Sequence, residues 1–454
     1  MRNLIISVYH LNQPSACRRL WGVIVILILH TSIFAPHSFA QSTGTVSSYS
    51  RFGLGTLHDQ SQGFNKSMGG VGQGIRQGNR INVANPASYS AIDSLSLILD
   101  VGMTGAFGQM SQGTKKVGIN SATLDYVHAG MHIAKRLGLA VGFMPYTAIG
   151  YHYTSPETTI TSNINTTQTV TNNITYYGNG GLNQAYLGLG WKAYRGISVG
   201  ANISFLWGSY NHYLVPDFKE GGSSMSTYIS TIKSYTASLR TYKIDLGIQY
   251  PVRLTAQDWL NLGATVGLGH KIAQDATLMH YSTKGDTTSF KAPSPFDLPY
   301  TIAVGAAWQH KNTLQVGADV HYDRWSKCRM PIETAGSYVP MEGYYKDMVK
   351  FALGAGWTPD PYGKFWNRIQ YRAGFNFSTP YLKINEQDGP YELRLNMGAG
   401  IPIINKNNNR SIVNVGVGWL RRSASAVGMV KEDYFVINLG MTFNERWFMK
   451  YKIE

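Results

Sequence analysis

The sequence predicts an all-β protein, a 14-stranded antiparallel transmembrane β-barrel. Three observations lead there: an export signal, the absence of a helical span after residue 40, and repeated segments in which apolar residues alternate with small or polar ones. Charged residues make up only 14% of the chain, while Gly and Tyr are abundant. In hydrocarbon every backbone N–H and C=O needs an internal partner, so a chain without spanning helices crosses as a closed barrel.

The export signal lies at the N-terminus. Arg18 and Arg19 precede the apolar run "GVIVILIL", and Ser38 and Ala40 occupy the small-residue positions of a cleavage site. The run is too short to span a bilayer, and residues 1–40 read as a cleaved signal peptide. Cys17 precedes the run and is therefore not a lipoprotein acceptor at its end. Cleavage removes Arg2, Arg18 and Arg19, taking the formal charge from +15 to +12. Cys328 is then the only cysteine, which excludes an internal disulfide and a cysteine-based zinc site.

The strands follow from period-two patterning. In "ISVGANISFLWG", Ile197, Val199, Ala201, Ile203, Phe205 and Trp207 share one face, and small or polar residues hold most of the other. "LNLGATVGL" and "YFVINLGMTF" repeat the pattern. Fourteen such segments run at 94–107, 121–134, 137–151, 184–193, 197–209, 236–250, 258–271, 299–309, 313–325, 347–358, 364–377, 390–402, 410–420 and 433–443. At ~3.3 Å per residue and a tilt of about 40°, such lengths cross the hydrocarbon layer.

Short links such as "KR", "AYR" and "HKN" alternate with long ones at 152–183, 210–235, 272–298 and 326–346. Short periplasmic turns and long outer loops are the up-and-down barrel arrangement. Tryptophans fall near segment ends, with Trp191, Trp259, Trp308, Trp357, Trp366 and Trp447 toward the periplasmic rim. Trp207, Trp325 and Trp419 fall toward the outer one, giving two expected aromatic girdles. The Thr/Asn-rich tract "TSPETTITSNINTTQTVTNNIT" reads as a mobile surface loop.

A Gly-rich "MGG" segment, Met68, Gly69 and Gly70, and an "NPA" motif, Asn85, Pro86 and Ala87, precede the first strand. In both the chain resembles the FadL family of outer-membrane proteins, which includes the PorV-type barrels, and its style is most similar to Bacteroidota members. A late hairpin adds Leu298, Pro299, Gly317, Ala318, Asp319, Tyr322, Trp325 and Ser326. The resemblance implies that residues 41–93 form an N-terminal lumenal plug, 94–443 the barrel and 444–454 a short periplasmic tail. The tail's own alternation leaves one more strand or a surface-binding segment open. Arg76 and Arg80, inside the plug, are expected to pair with Asp100, Asp245 or Asp319, because an unpaired charge in a narrow lumen is costly.

Pro145 stands in the middle of the third segment. It lacks an N–H, so the ladder must lose a bond there. Family transporters resemble this in having a kinked third strand that opens the wall toward lipid. The expectation is a lateral exit lined by Phe143, Met144, Pro145 and Tyr146, with the "NPA" segment against it.

Other motifs carry less. His128 and His132 would share an ion on a helix, but on a strand they stand roughly 13 Å apart. They read as polar lumen residues. Gly188/Gly190, Gly354/Gly356 and Gly398/Gly400 lack the spacing of a phosphate loop and read as lumen-facing strand glycines. No Ser/His pair suggests catalysis, and no cofactor or metal is expected. The basic excess fits lipopolysaccharide or lumenal charges better than nucleic acid in an exported chain. Two functions follow: passive uptake of hydrophobic, fatty-acid-like molecules through the plugged lumen, or service as a non-transporting barrel subunit of an outer-membrane secretion or barrel-assembly complex. Outer-membrane lipid is a partner in both.

Overall fold

Alternating apolar segments become strands because only a closed ladder satisfies their backbone in lipid. A computed structural model describes residues 47–446, apart from 163–167, 221–222, 225–229, 283, 335, 404–410 and 427. The expected signal peptide and the last eight residues, with Trp447, lie outside the described residues.

The barrel strands are β1 (Ser96–Gln112), β2 (Lys115–Ala134), β3 (Leu137–Pro145), β4 (Gln168–Lys192), β5 (Ser198–Glu220), β6 (Thr231–Arg253) and β7 (Asp258–Gly267). They continue as β8 (Thr301–His310), β9 (Leu314–Asp323), β10 (Met348–Trp357), β11 (Gln370–Ser378), β12 (Tyr391–Pro402), β13 (Ile412–Ser423) and β14 (Lys431–Arg446). Each pairs antiparallel with its neighbour in sequence, and β14 closes on β1 from Ser96↔Arg446 to Ser111↔Lys431. The result is a closed 14-strand antiparallel barrel, with β14 running three residues past Phe443.

The two walls separate as the pattern requires. Leu99, Val101 and Met103 on β1, Ile203 and Phe205 on β5, and Val304 on β8 are exposed to the surroundings. Their neighbours Asp100, Asn202 and Ser204 are buried inside. A large apolar outer surface is what lipid contact calls for.

Two expectations are corrected. The Thr/Asn-rich tract is a β-hairpin where it is described: Thr158–Ser162 pairs with Gln168–Asn172. β4, β5 and β6 are 25, 23 and 23 residues long, well beyond what a bilayer needs. Threonine is β-branched and suits an exposed strand as well as a loop, so composition alone misreads it. Trp325 does not join a girdle. It is 1% exposed, on a 3₁₀ turn packed against Tyr345 and Tyr381. After Asp323 the ring is drawn into a buried cluster with Tyr49, Met330 and Leu382, which removes it from the membrane interface.

Candidate functional site

Residues 47–95 carry little regular structure: a 3₁₀ turn at Ser48–Arg51, the pair Thr56–Leu57, a helical turn at Gly63–Lys66 and a 3₁₀ turn at Pro86–Ala91. Their backbone groups therefore seek partners elsewhere. The inward faces of the strands supply them. Asp319 on β9 accepts the N–H groups of Gly72 and Gln73 at 2.6 and 2.9 Å. Gln249 on β6 donates to the carbonyls of Gln73 and Ile75 at 2.8 and 3.1 Å. Asn376 on β11 donates to the Gly69 carbonyl at 2.9 Å, and Tyr126 on β2 accepts the Gly63 N–H at 2.8 Å.

Glycines on the wall make this closeness possible. A Cβ at Gly263 would stand 1.8 Å from the Gln73 carbonyl oxygen, and one at Gly138 1.9 Å from that of Tyr89. At Gly354 and Gly374 it would meet Met68 at 2.1 Å. Gly188, Gly190, Gly356 and Gly398 likewise face residues of the same segment, and Gly400 faces Arg372.

The motif residues fall within this packing. Met68 is fully buried, and Gly69 adopts φ +71° with the place of its missing Cβ 2.6 Å from the Phe375 carbonyl. Gly70 is at φ +84°. Asn85 caps the 3₁₀ turn by accepting the Ala87 N–H at 3.1 Å. Its amide donates to the carbonyls of Gln73 and Ile248 at 3.1 and 3.0 Å. Pro86 lies against Gly190, Gly200 and Gly247, near the short-turn ends of β4, β5 and β6.

The expected carboxylate partners of the two arginines are not found. Arg76 donates to the Ala87 carbonyl, Gln249 Oε1 and Ser90 Oγ. Arg80 donates to Gln370 Oε1 and stacks over Phe64. Asp319 is already taken by backbone N–H groups, Asp245 by Lys243, and Asp100 by Tyr126 and Thr442. Neutral oxygens thus carry the guanidinium groups. Burial pushes both pKa values down to about 10, which leaves them charged at neutral pH.

The wall changes character between β2 and β3. Their ladder runs only from Ala134↔Leu137 to Val127↔Phe143, whereas β2 stays paired with β1 out to Lys115. Pairing of β3 with β4 continues through Pro145↔Asn183, and the chain then resumes as Thr147–Thr154, paired with β4 from Ile149↔Gly180. The Tyr146 N–H donates to Leu182 on β4. Successive residues of a strand point their backbone groups to opposite sides, so the position without an N–H, Pro145, faces away from β4.

The N-terminal segment takes up that free side. Gln60 Nε2 donates to the Pro145 carbonyl at 2.8 Å, and the His58 N–H to that of Tyr146 at 3.0 Å. Leu57 and Thr56 pair with Thr147 and Ala148. Across from it, a bulge in β2, opposite Gly102 and Met103 of β1, leaves Asp125 without an opposite residue. Asp125 turns inward to Lys66 Nζ at 2.8 Å, with His58 Nε2 at 3.6 Å. Met144 and Tyr146 are buried, while Phe143 packs beside Trp207 at 5.9 Å on the outer wall. The Asn85–Ala87 turn meets β4, β5 and β6 instead, and the segment that reaches Pro145 is His58–Gln60. His58, Gln60, Lys66 and Asp125 were not legible as site residues. The available signal was a charged residue, Asp125, inside an alternating strand.

A model of the family described as BamG matches residues 22–454. The chain belongs to the BamG family.

No curated protein matches the sequence of this BamG-family chain. Solved structures match its fold. The toluene transporter TodX of Pseudomonas putida is 14% identical with a TM-score of 0.54, covering 85% of this chain and 98% of its own. The toluene transporter TbuX of Ralstonia pickettii is 15% identical with a TM-score of 0.54, covering 87% and 98%. A FadL homologue of Pseudomonas aeruginosa is 12% identical with a TM-score of 0.54, covering 85% and 97%. The FadL-type resemblance therefore holds for the fold.

Inside the BamG-family barrel lies a cavity of about 280 Å³ between the N-terminal segment and the strands. Its lining mixes aromatic side chains, among them Tyr146 and Tyr381, with charged ones such as Asp59, Lys243 and Lys350. Beside Tyr146 the apolar side chains are close-packed: Leu182, Leu206, Leu239, Ile272 and Phe296 are all at most 1% exposed.

Proposed function

We propose that this protein is a non-transporting outer-membrane barrel, serving as a subunit of a barrel-assembly complex. The reading rests on the packing of residues 47–95 against the inner faces of the strands in a BamG-family chain. Residues 47–95 act as a plug, held backbone against glycine on several strands. A plug that yields to a passing ligand needs loose contacts, whereas these bury polar groups whose separation leaves them unpaired. The cavity falls just below the usual range of ligand-pocket sizes, roughly 300–1,000 Å³, and charged groups line part of it. The test is purification of the tagged full chain in mild detergent. A second outer-membrane protein should co-purify at fixed stoichiometry, and depletion should lower the level of other barrels. A single-component sample together with normal barrel levels overturns the reading.

A second reading is favoured by the β2–β3 junction: uptake of a hydrophobic molecule with lateral release beside Phe143, Met144, Pro145 and Tyr146. Its support is the ending of the ladder at Val127↔Phe143 within a barrel of the same fold as toluene transporters. Saturable uptake of a fatty-acid-like probe by cells carrying the protein, absent without it, is the result this reading requires.

A further inference from the structure

Charge is divided unequally between the two ends of the barrel. The long-loop end, over 111–117, 152–183, 210–235, 270–298, 324–347, 379–391 and 421–433, carries fifteen basic and thirteen acidic residues. The short-turn end, over 135–136, 192–197, 253–258, 311–313 and 358–369, carries eight basic and two acidic. In outer-membrane barrels the short turns face the periplasm. The basic excess of the barrel therefore lies largely on the rim opposite the lipopolysaccharide.

These cations lie on five of the barrel's short turns. Lys135 and Arg136 hold the β2–β3 turn, and Lys192 and Arg195 the β4–β5 turn. Arg253, Lys311, Lys364 and Arg368 continue the series on the next three. All but Arg368 are exposed, and none makes an ion pair among the described residues. The two acidic groups are engaged locally: Asp258 with His310 and Thr255, and the Asp360 carboxylate with the Tyr362 N–H.

Two features set the depth and the purpose of these cations. Arg195 lies over Tyr194 at 5.1 Å and Arg253 over Trp259 at 5.8 Å, while Lys192 follows the exposed Trp191. Aromatic girdles sit at the headgroup level, so the cations beside them do too. Moreover Arg136, Arg195 and Lys311 adopt φ of +70°, +51° and +51°. Glycine or asparagine would hold these turns with less strain, so the turn geometry does not account for the cations.

We infer that this rim binds the net-anionic phospholipids of the inner leaflet, the turn cations meeting their phosphate groups. Cations spread over five turns at headgroup depth fit a lipid annulus better than a globular partner on one side. A juxtamembrane cation attracts anionic lipid with an energy equivalent to about a fivefold gain per charge.

The full chain would be reconstituted in nanodiscs of phosphatidylcholine with a minor share of phosphatidylglycerol, and retained lipid counted by native mass spectrometry. Wild type should enrich phosphatidylglycerol. The variant Lys135→Gln/Arg136→Gln/Lys192→Gln/Arg195→Gln should lose about tenfold or more of that enrichment, and the wild-type enrichment should itself fall with added salt. Four outer-loop changes, Lys115→Gln, Lys116→Gln, Lys284→Gln and Lys291→Gln, should leave it unchanged. The pair Arg253→Gln/Lys311→Gln gives a second reading should the first variant not fold. Equal enrichment in all variants overturns the inference. So does loss of a co-purifying acidic protein with lipid retention intact, which would make the rim a protein interface.

Discussion

Lys66 Nζ lies 2.8 Å from Asp125 Oδ2, and both side chains are almost wholly buried. The pair joins the N-terminal segment to β2 beside the place where β2 loses its β3 partner. Thr104 Oγ1 accepts a further bond from the ammonium at 2.9 Å. Removing one member of such a pair leaves a desolvated charge, at a cost of about 3–5 kcal/mol.

Lys66→Met should therefore lower the thermal midpoint of the folded barrel and expose residues 47–92 to trypsin. Lys66→Met combined with Asp125→Leu should regain most of the loss, because no unpaired charge remains. Heat-modifiable gel migration and limited proteolysis measure both. An unchanged single variant would show that the pair holds nothing.

The wall glycines give a contrast within one residue type. Gly263→Ala brings a methyl group within 1.8 Å of the Gln73 carbonyl, with backbone on both sides and no rotamer to relieve it. Overpacking of this kind costs about 1–3 kcal/mol or more. Gly118→Ala on β2 meets nothing within 4 Å and should leave stability within about 0.5 kcal/mol of wild type. Equal thermal midpoints for the two would argue that the segment is loosely held.

Much of the barrel was legible in the sequence because lipid imposes period-two patterning at every crossing. β5, whose outward Ile203 and Phe205 alternate with inward Asn202 and Ser204, is readable from "ANISF" alone. The outer parts of β4 to β6 stand beyond the membrane, where no apolar face is required, and threonine there suits strand and loop alike. The site was less legible because irregular backbone makes the contacts. Nothing in the spacing of His58, Gln60 and Pro145 says that they meet, and Asp125 faces inward only through a bulge. The partners of Arg76 and Arg80 are side-chain amides, a hydroxyl and a backbone carbonyl, which charge complementarity does not identify.

Acidification should leave the segment attached over an unusually wide range. Burial alone would raise the Asp59 pKa, but Arg394 at 3.0 Å, with Lys350 and Lys66, more than offsets it and holds the carboxyl well below the usual carboxylate range. A depressed carboxylate contributes stability that is present in full above its unfolded value, about 3.9, and is lost only as pH falls toward the lower folded value. Protease resistance of residues 47–92 should thus persist from pH 7 to pH 5. Asp59→Asn should reduce that resistance across the whole range, since Arg394 loses a partner at every pH. A wild-type segment that detaches near pH 5 would contradict the assignment.

Pro145 separates the two functional readings. Its missing N–H lies on the side of β3 away from β4, so the ladder with β2 stops there without leaving a donor unpaired. Valine at this position restores a donor directed toward β2 and favours extension of the ladder past Val127↔Phe143. Extension must displace Gln60 from the residue 145 carbonyl, a net-neutral exchange of one hydrogen bond. Pro145→Val should accordingly leave barrel stability within about 1 kcal/mol of wild type. If release is lateral, uptake of a fatty-acid-like probe should slow several-fold in the variant. If the protein is an assembly subunit, wild type and variant should both take up probe at the background rate, while co-purification of the partner persists. Uptake by wild type that the variant matches would remove the lateral exit and leave any conduction to another route through the lumen.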